Sequence, residues 1–100
     1  MIARVWHGWT THQSADAYEQ LLQAEILPAI EAEHGRGVNL LRRNAGEEVE
    51  FVTICYFEDM EEVKQFAGDD YEASVVPEKA RRVLKRYDRR SQHYQIKRKP

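Results

Sequence analysis

The hydrophobic patterning of the chain predicts an α+β domain built as one antiparallel sheet with both helices on one face. Three observations lead there. The pattern runs strand, helix, strand, strand, helix, strand. Two of those strands are apolar on both faces, which belongs to strands at the centre of a sheet. Each helical stretch carries a single apolar stripe.

Residues 2–10 form the first strand, rich in β-branched and aromatic side chains. Ala3, Val5 and Trp9 fall on one face, Ile2 and Trp6 on the other. Residues 10–13 are polar and read as a turn. Ser14 is suited to cap the first helix, with Asp16 in its first turn, where a negative charge meets the positive end of the dipole. Tyr18, Leu21 and Leu22 recur at helical spacing. Pro28 then interrupts. Its nitrogen carries no hydrogen for the carbonyl of Ala24, so a kink is expected before the helix ends near Gly35.

Residues 38–43 read as the second strand, residues 44–47 as a hairpin turn and residues 49–57 as the third strand. Phe51, Thr53, Cys55 and Phe57 alternate with Val52, Ile54 and Tyr56, so this strand too is apolar on both faces. Asp59, followed three residues later by Glu62, has the form of a capping box. Met60, Val63, Phe66 and Ala67 make the stripe of the second helix, closed by Gly68. Residues 69–77 are irregular, residues 78–84 suit a short extra helix after Pro77, and residues 89–97 form the last strand. This βαββαβ succession is the split βαβ of ferredoxin-like folds.

Two helices cover one face of such a sheet. The first and third strands also carry large apolar side chains on the other face. Leaving them in water forfeits about 25 cal/mol per Å², and exposed patches of this kind mark association sites. The simplest cover is a second copy, so a homodimer through the sheet faces is expected.

The chain has 100 residues, 42% hydrophobic and 32% charged, which suits a single domain over residues 1–100. Its formal net charge of -2 does not suggest a nucleic-acid partner. The late basic residues, from Lys79 to Arg90 and then Lys97 to Lys99, read as a solvated helix face plus a charged tail, with binding of RNA or an acidic ligand as the competing reading. A lone cysteine, Cys55, allows no internal disulfide and fits a reducing compartment. Without an apolar run of spanning length or a signal peptide, the expected location is the cytoplasm and no membrane partner is expected.

The segments Ile2-Ala3-Arg4-Val5-Trp6-His7-Gly8, Gly35-x-Gly37-Val38, Phe57-Glu58-Asp59, Phe66-Ala67-Gly68-Asp69-Asp70 and His93-Tyr94 together resemble the antibiotic biosynthesis monooxygenase-like (ABM) family. The likeness covers nearly the whole chain. It implies a dimeric α+β barrel. It also implies, as an activity, a cofactor-independent monooxygenase in which oxygen reacts directly with a carbanion of an aromatic or lipophilic substrate. The haem-degrading members use an Asn on the first strand and a Trp on the second helix. Neither has a counterpart here, so haem degradation is not implied.

His7, late in the first strand, and His93, early in the last, are the candidate catalytic residues, since histidine titrates near neutrality. Adjacent antiparallel strands would bring them near one another. Structural histidines bonded to buried polar groups are the competing reading. Trp6, Trp9, Tyr56 and Tyr71 are candidates for an aromatic ligand pocket between sheet and helices, against ordinary core and dimer packing. Two histidines without matching cysteines or carboxylates are too few for a metal, and no Gly-rich phosphate loop is present, so no cofactor is expected. The same pattern also suits a non-catalytic dimer that binds a small ligand or serves a stress or regulatory role.

Overall fold

The first strand, β1 (Ile2–Thr11), is flanked on both sides. The computed structural model describes residues 1–34 and 36–100. β1 pairs antiparallel with β3 (Glu48–Phe57) from Ile2 opposite Phe57 to Thr11 opposite Glu48. β2 (Val38–Ala45) lies outside β3, joined to it through a tight turn in which Gly46 has φ 68°. That positive φ suits glycine, which has no Cβ to clash. On the other side of β1 run β4 (Arg86–Tyr87) and β5 (Gln92–Gln95). The result is a five-stranded antiparallel sheet of order β2-β3-β1-β4, with β5 also beside β1.

Strand four therefore differs from its expected form. In place of one strand over residues 89–97 there are two short ones, because residues 88–91 turn aside to serve other bonds. The Asp88 carbonyl accepts from the Trp6 indole at 2.9 Å and from the Ser74 hydroxyl. Ser91 N–H donates to the Glu72 carbonyl at 2.6 Å.

The helical layer starts earlier than the sequence suggests. β1 runs on through Thr11, whose hydroxyl accepts from Ser14 N–H at 3.2 Å, so Thr11 and not Ser14 caps α1 (His12–Leu21). Asp16 consequently sits beyond the first turn and pairs with Arg42 at 2.8 Å. A π-helical segment, Leu22–Ile26, follows, and then α2 (Leu27–His34). The Leu27 N–H reaches back five residues to the Leu22 carbonyl. This is how the helix meets Pro28, which has no N–H to offer Ala24. The helix end expected at Gly35, and the Gly35 part of the lead-in to strand two, lie outside the described residues.

α3 (Met60–Ala67) begins at Asp59, whose carboxylate accepts from Glu62 N–H at 3.0 Å, while Glu62 accepts from Glu58 N–H at 3.0 Å. Gly68 closes it at φ 89°. α4 (Glu78–Arg81) is a single turn after Pro77.

All these helices pack on the sheet face that carries Val49, Phe51, Cys55 and Phe57. Tyr18 meets Phe51 edge to face, with ring centroids 4.9 Å apart, inside a core that includes Leu22, Leu27 and Ala80. Val63 and Phe57 anchor a second cluster under α3. The opposite face bears Val5, Val52, Ile54 and Tyr56, all half-buried, with Leu41 49% and Tyr94 54% exposed. Met1 and residues 98–100 border a groove along it. Among the described residues no helix is long and apolar enough to cross a membrane.

Candidate functional site

Alternation along β1 sends Arg4, Trp6, Gly8 and Thr10 towards the helices and Val5, His7 and Trp9 away from them. Opposite partners in an antiparallel sheet share a face. Arg4 stands between Cys55 of β3 and His93 of β5, so these three side chains meet under the helical layer.

Arg4 is 4% exposed. Its Nη1 donates to the Tyr71 carbonyl at 2.5 Å and to His93 Nε2 at 2.9 Å, and its Nη2 donates to the Ala73 carbonyl at 2.9 Å. The guanidinium also lies 5.5 Å from the Phe66 ring centroid. No ion pair among the described residues includes it. Arginine only donates, so His93 Nε2 must hold a lone pair, and the ring's proton sits on Nδ1. That Nδ1 is buried with no hydrogen-bond partner. Burial, and then the Arg4 charge, hold the His93 pKa below its ordinary value. Burial likewise pulls the Arg4 pKa down from its ordinary value, while leaving it a cation at any physiological pH. The Cys55 thiol is pushed up to about 11 by burial, partly offset by Arg4, so it stays protonated.

A cavity of about 50 Å³ opens beside Arg4 between the sheet and the helices. Arg4, Tyr18, Thr53, Cys55 and Ser91 line it together with Trp6, Leu22 and Ala80, and its wall is mainly apolar. A neighbouring groove of about 320 Å³ shares Ile26, Ile30, Phe66, Val75 and Pro77 with it. Ile26 belongs to the π-helical segment, so the irregularity set by Pro28 shapes both spaces. Glu25 and Lys79, paired at 2.9 Å, stand at the groove's rim.

The residues singled out from sequence separate into three places. Trp6 lines the cavity, and its indole lies so close over Gly8 that a Cβ there would sit 2.7 Å from it. Tyr71 packs its ring 5.6 Å from that of His93, with Lys64 Nζ 5.7 Å above it. His7, Trp9 and Tyr56 are on the opposite face. His7 Nδ1 donates to Asp88 Oδ2 at 2.8 Å, its ring stacks on Trp9 at 6.0 Å, and Arg86 covers Trp9 at 3.8 Å. Tyr56 donates its hydroxyl proton to Asn39 at 2.6 Å. His7 and His93 are therefore not neighbours in one site, because the register puts His93 opposite Arg4 and on the other side of the sheet. Each keeps a partner of its own.

Sequence reasoning missed Arg4, Thr53 and Ser91. A signal for Arg4 was present, since it is a charge in phase with Trp6 on an otherwise apolar strand face. Ser91 had none, because a break in the last strand brings it in.

Of the late basic residues, Lys79, Arg82, Lys85, Arg86 and Arg90 each pair with a carboxylate. Asp70 and Glu72 are tied to Arg90 at 2.9 and 3.1 Å. Among the described residues no group of three or more His, Cys, Asp or Glu is arranged to hold a metal ion. No family model, curated protein or solved structure matches the chain.

Proposed function

We propose that this protein is a ferredoxin-like, ABM-type homodimer that binds a lipophilic or aromatic small molecule in the helix-side cavity of each protomer. The observation that carries this reading is the cavity itself. A small, mainly apolar chamber that includes Arg4 lies beside a larger apolar groove, which is the composition of a ligand site. The strand order, with β1 and β3 inside, supports the ferredoxin-like description. The apolar open face, with Val5, Ile54 and Tyr56 at its centre, supports a second copy as its cover.

Binding is favoured over turnover by the state of the histidines. The lone pair of His93 is engaged by Arg4, and His7 faces away from the cavity. Neither stands ready there to remove a proton. Cofactor-independent oxygenation, the activity that the family resemblance implies, has one observation in its favour. The Arg4 cation beside the cavity would stabilise the enolate of a carbon acid.

Trp6 lines the cavity and Trp9 does not, so ligand entry reads out in tryptophan fluorescence. Titration with neutral and acidic lipophilic molecules should change the wild-type spectrum, and the change should disappear in Ile30→Phe, which enlarges a side chain that lines both chamber and groove. A folded wild type that responds to none of these molecules would refute the reading.

A further inference from the structure

The cavity reading leaves the charge of the ligand open, and Arg4 speaks to it. Folding has withdrawn this cation from water, yet its partners are two carbonyls and a neutral imidazole. Those bonds use Nη1 and Nη2, and none uses Nε. In a guanidinium the Nε–H and one Nη2–H point the same way and form the fork that grips a carboxylate. Arg86 uses this fork on Glu48 at 3.2 and 2.9 Å, and Arg36 uses it on Glu62 at 3.0 and 2.8 Å. The fork of Arg4 meets no carboxylate among the described residues, and Arg4 lines the cavity. A buried cation left without an anion is costly, and an anion brought to it by a ligand gains most where water is excluded.

The two volumes set the ligand's shape. A cavity of roughly 150 Å³ is what admits a benzene ring. The chamber of about 50 Å³ is too small for a ring and large enough for a head group of a few atoms. The groove of about 320 Å³ has room for an apolar tail, and Phe66 and Ile30 line both spaces.

We propose that the chamber receives the carboxylate of an amphipathic acid, of the fatty or arylalkanoic class, with its oxygens on the Nε–Nη2 edge of Arg4 and its tail in the groove. Thr53 and Ser91 also line the chamber, and their hydroxyls would donate to the carboxylate oxygens. This rests on the ligand-binding reading above and adds to it the sign and form of the head group.

The test is calorimetric titration of the wild type with octanoate and with octanol, which share a tail and differ in charge. Octanoate should bind about tenfold or more tightly than octanol, as a charge-assisted hydrogen bond requires. Arg4→Gln should bring octanoate down to the affinity of octanol and leave octanol unchanged. Should that variant fail to fold, the Nε–H resonance of Arg4 in the wild type decides, since it should shift on adding octanoate. Equal affinities for the two molecules would overturn the carboxylate inference and leave the cavity reading intact. Tighter octanoate binding with an unmoved Arg4 resonance would also overturn it, because the head would then dock elsewhere. Silence from both molecules would remove the ligand-binding reading itself.

Discussion

His93 Nε2 lies 2.9 Å from Nη1 of Arg4, so a buried cation fixes the neutral form of the histidine beside it. The folded-state pKa of His93 is accordingly depressed. Below the ordinary histidine value of about 6.5 the unfolded chain takes up a proton that the folded chain resists. The stability contributed by this contact is present above that pH and is lost as pH falls towards the folded-state pKa. Urea midpoints measured from neutral pH downwards should fall through this window in the wild type. They should fall less steeply in His93→Gln, whose amide oxygen still accepts from Arg4 without titrating. Parallel curves for the two proteins would rule out His93 as the source.

Gly8→Ala should destabilise the fold by about 1–3 kcal/mol, the usual range for overpacking. An added Cβ would meet Trp6 at 2.7 Å and Leu84 at 2.9 Å. Thermal melts of the single variant and of Gly8→Ala with Trp6→Phe check the cause. The smaller ring should recover part of the loss if the indole is the obstacle.

Tyr18 is 1% exposed and packs its edge on Phe51. Tyr18→Ala should cost about 3–5 kcal/mol, as for other large core aromatics. Tyr18→Phe should cost under about 1 kcal/mol, in line with volume-conserving exchanges, because Tyr18 lines the cavity and its hydroxyl makes no hydrogen bond among the described residues. Denaturant titrations of both variants give the comparison.

Cys55 should react slowly with a thiol reagent near pH 8, since its folded-state pKa of about 11 leaves little thiolate. The rate should rise sharply in denaturant, where the ordinary thiol pKa returns. A native rate equal to the unfolded one would contradict the burial described for this side chain.

Ile54→Asp should leave the protomer folded and abolish self-association. The side chain sits on the open face of β3, opposite Val5, where a charge would be desolvated by a second copy. Sedimentation of wild type and variant is the measurement. A monomeric wild type would refute the homodimer.

The central strands were legible because apolar residues at both parities of β1 and β3 state their position directly. Pro28 announced an irregular helix, and Asp59 with Glu62 announced the start of α3. What stayed hidden depended on long-range contacts. The last strand divides because Asp88 and Ser91 bond to groups elsewhere in the chain, and no local pattern encodes that. The register between β1 and β5 decides that His93 faces Arg4 and not His7, and a shift of one residue would reverse every face assignment. Thr11 displaced Ser14 as helix cap because β1 extends further than its apolar run. The importance of Arg4 was visible only as an anomaly, a charge among side chains otherwise suited to a core.

The broken fourth strand bears on how the sheet meets other chains. Residues 72–74 lie alongside residues 89–91 and bond to them, with Ala73 bridged to Arg90 and Ser74 N–H donating to the Arg89 carbonyl at 2.9 Å. The margin between β4 and β5 is thereby occupied, and β4 is only two residues long. At the far margin β2 carries Arg42 and Arg43, charged neighbours that discourage a foreign strand from aligning there. These features disfavour lateral extension into a continuous ribbon and hinder the protein from polymerising strand by strand.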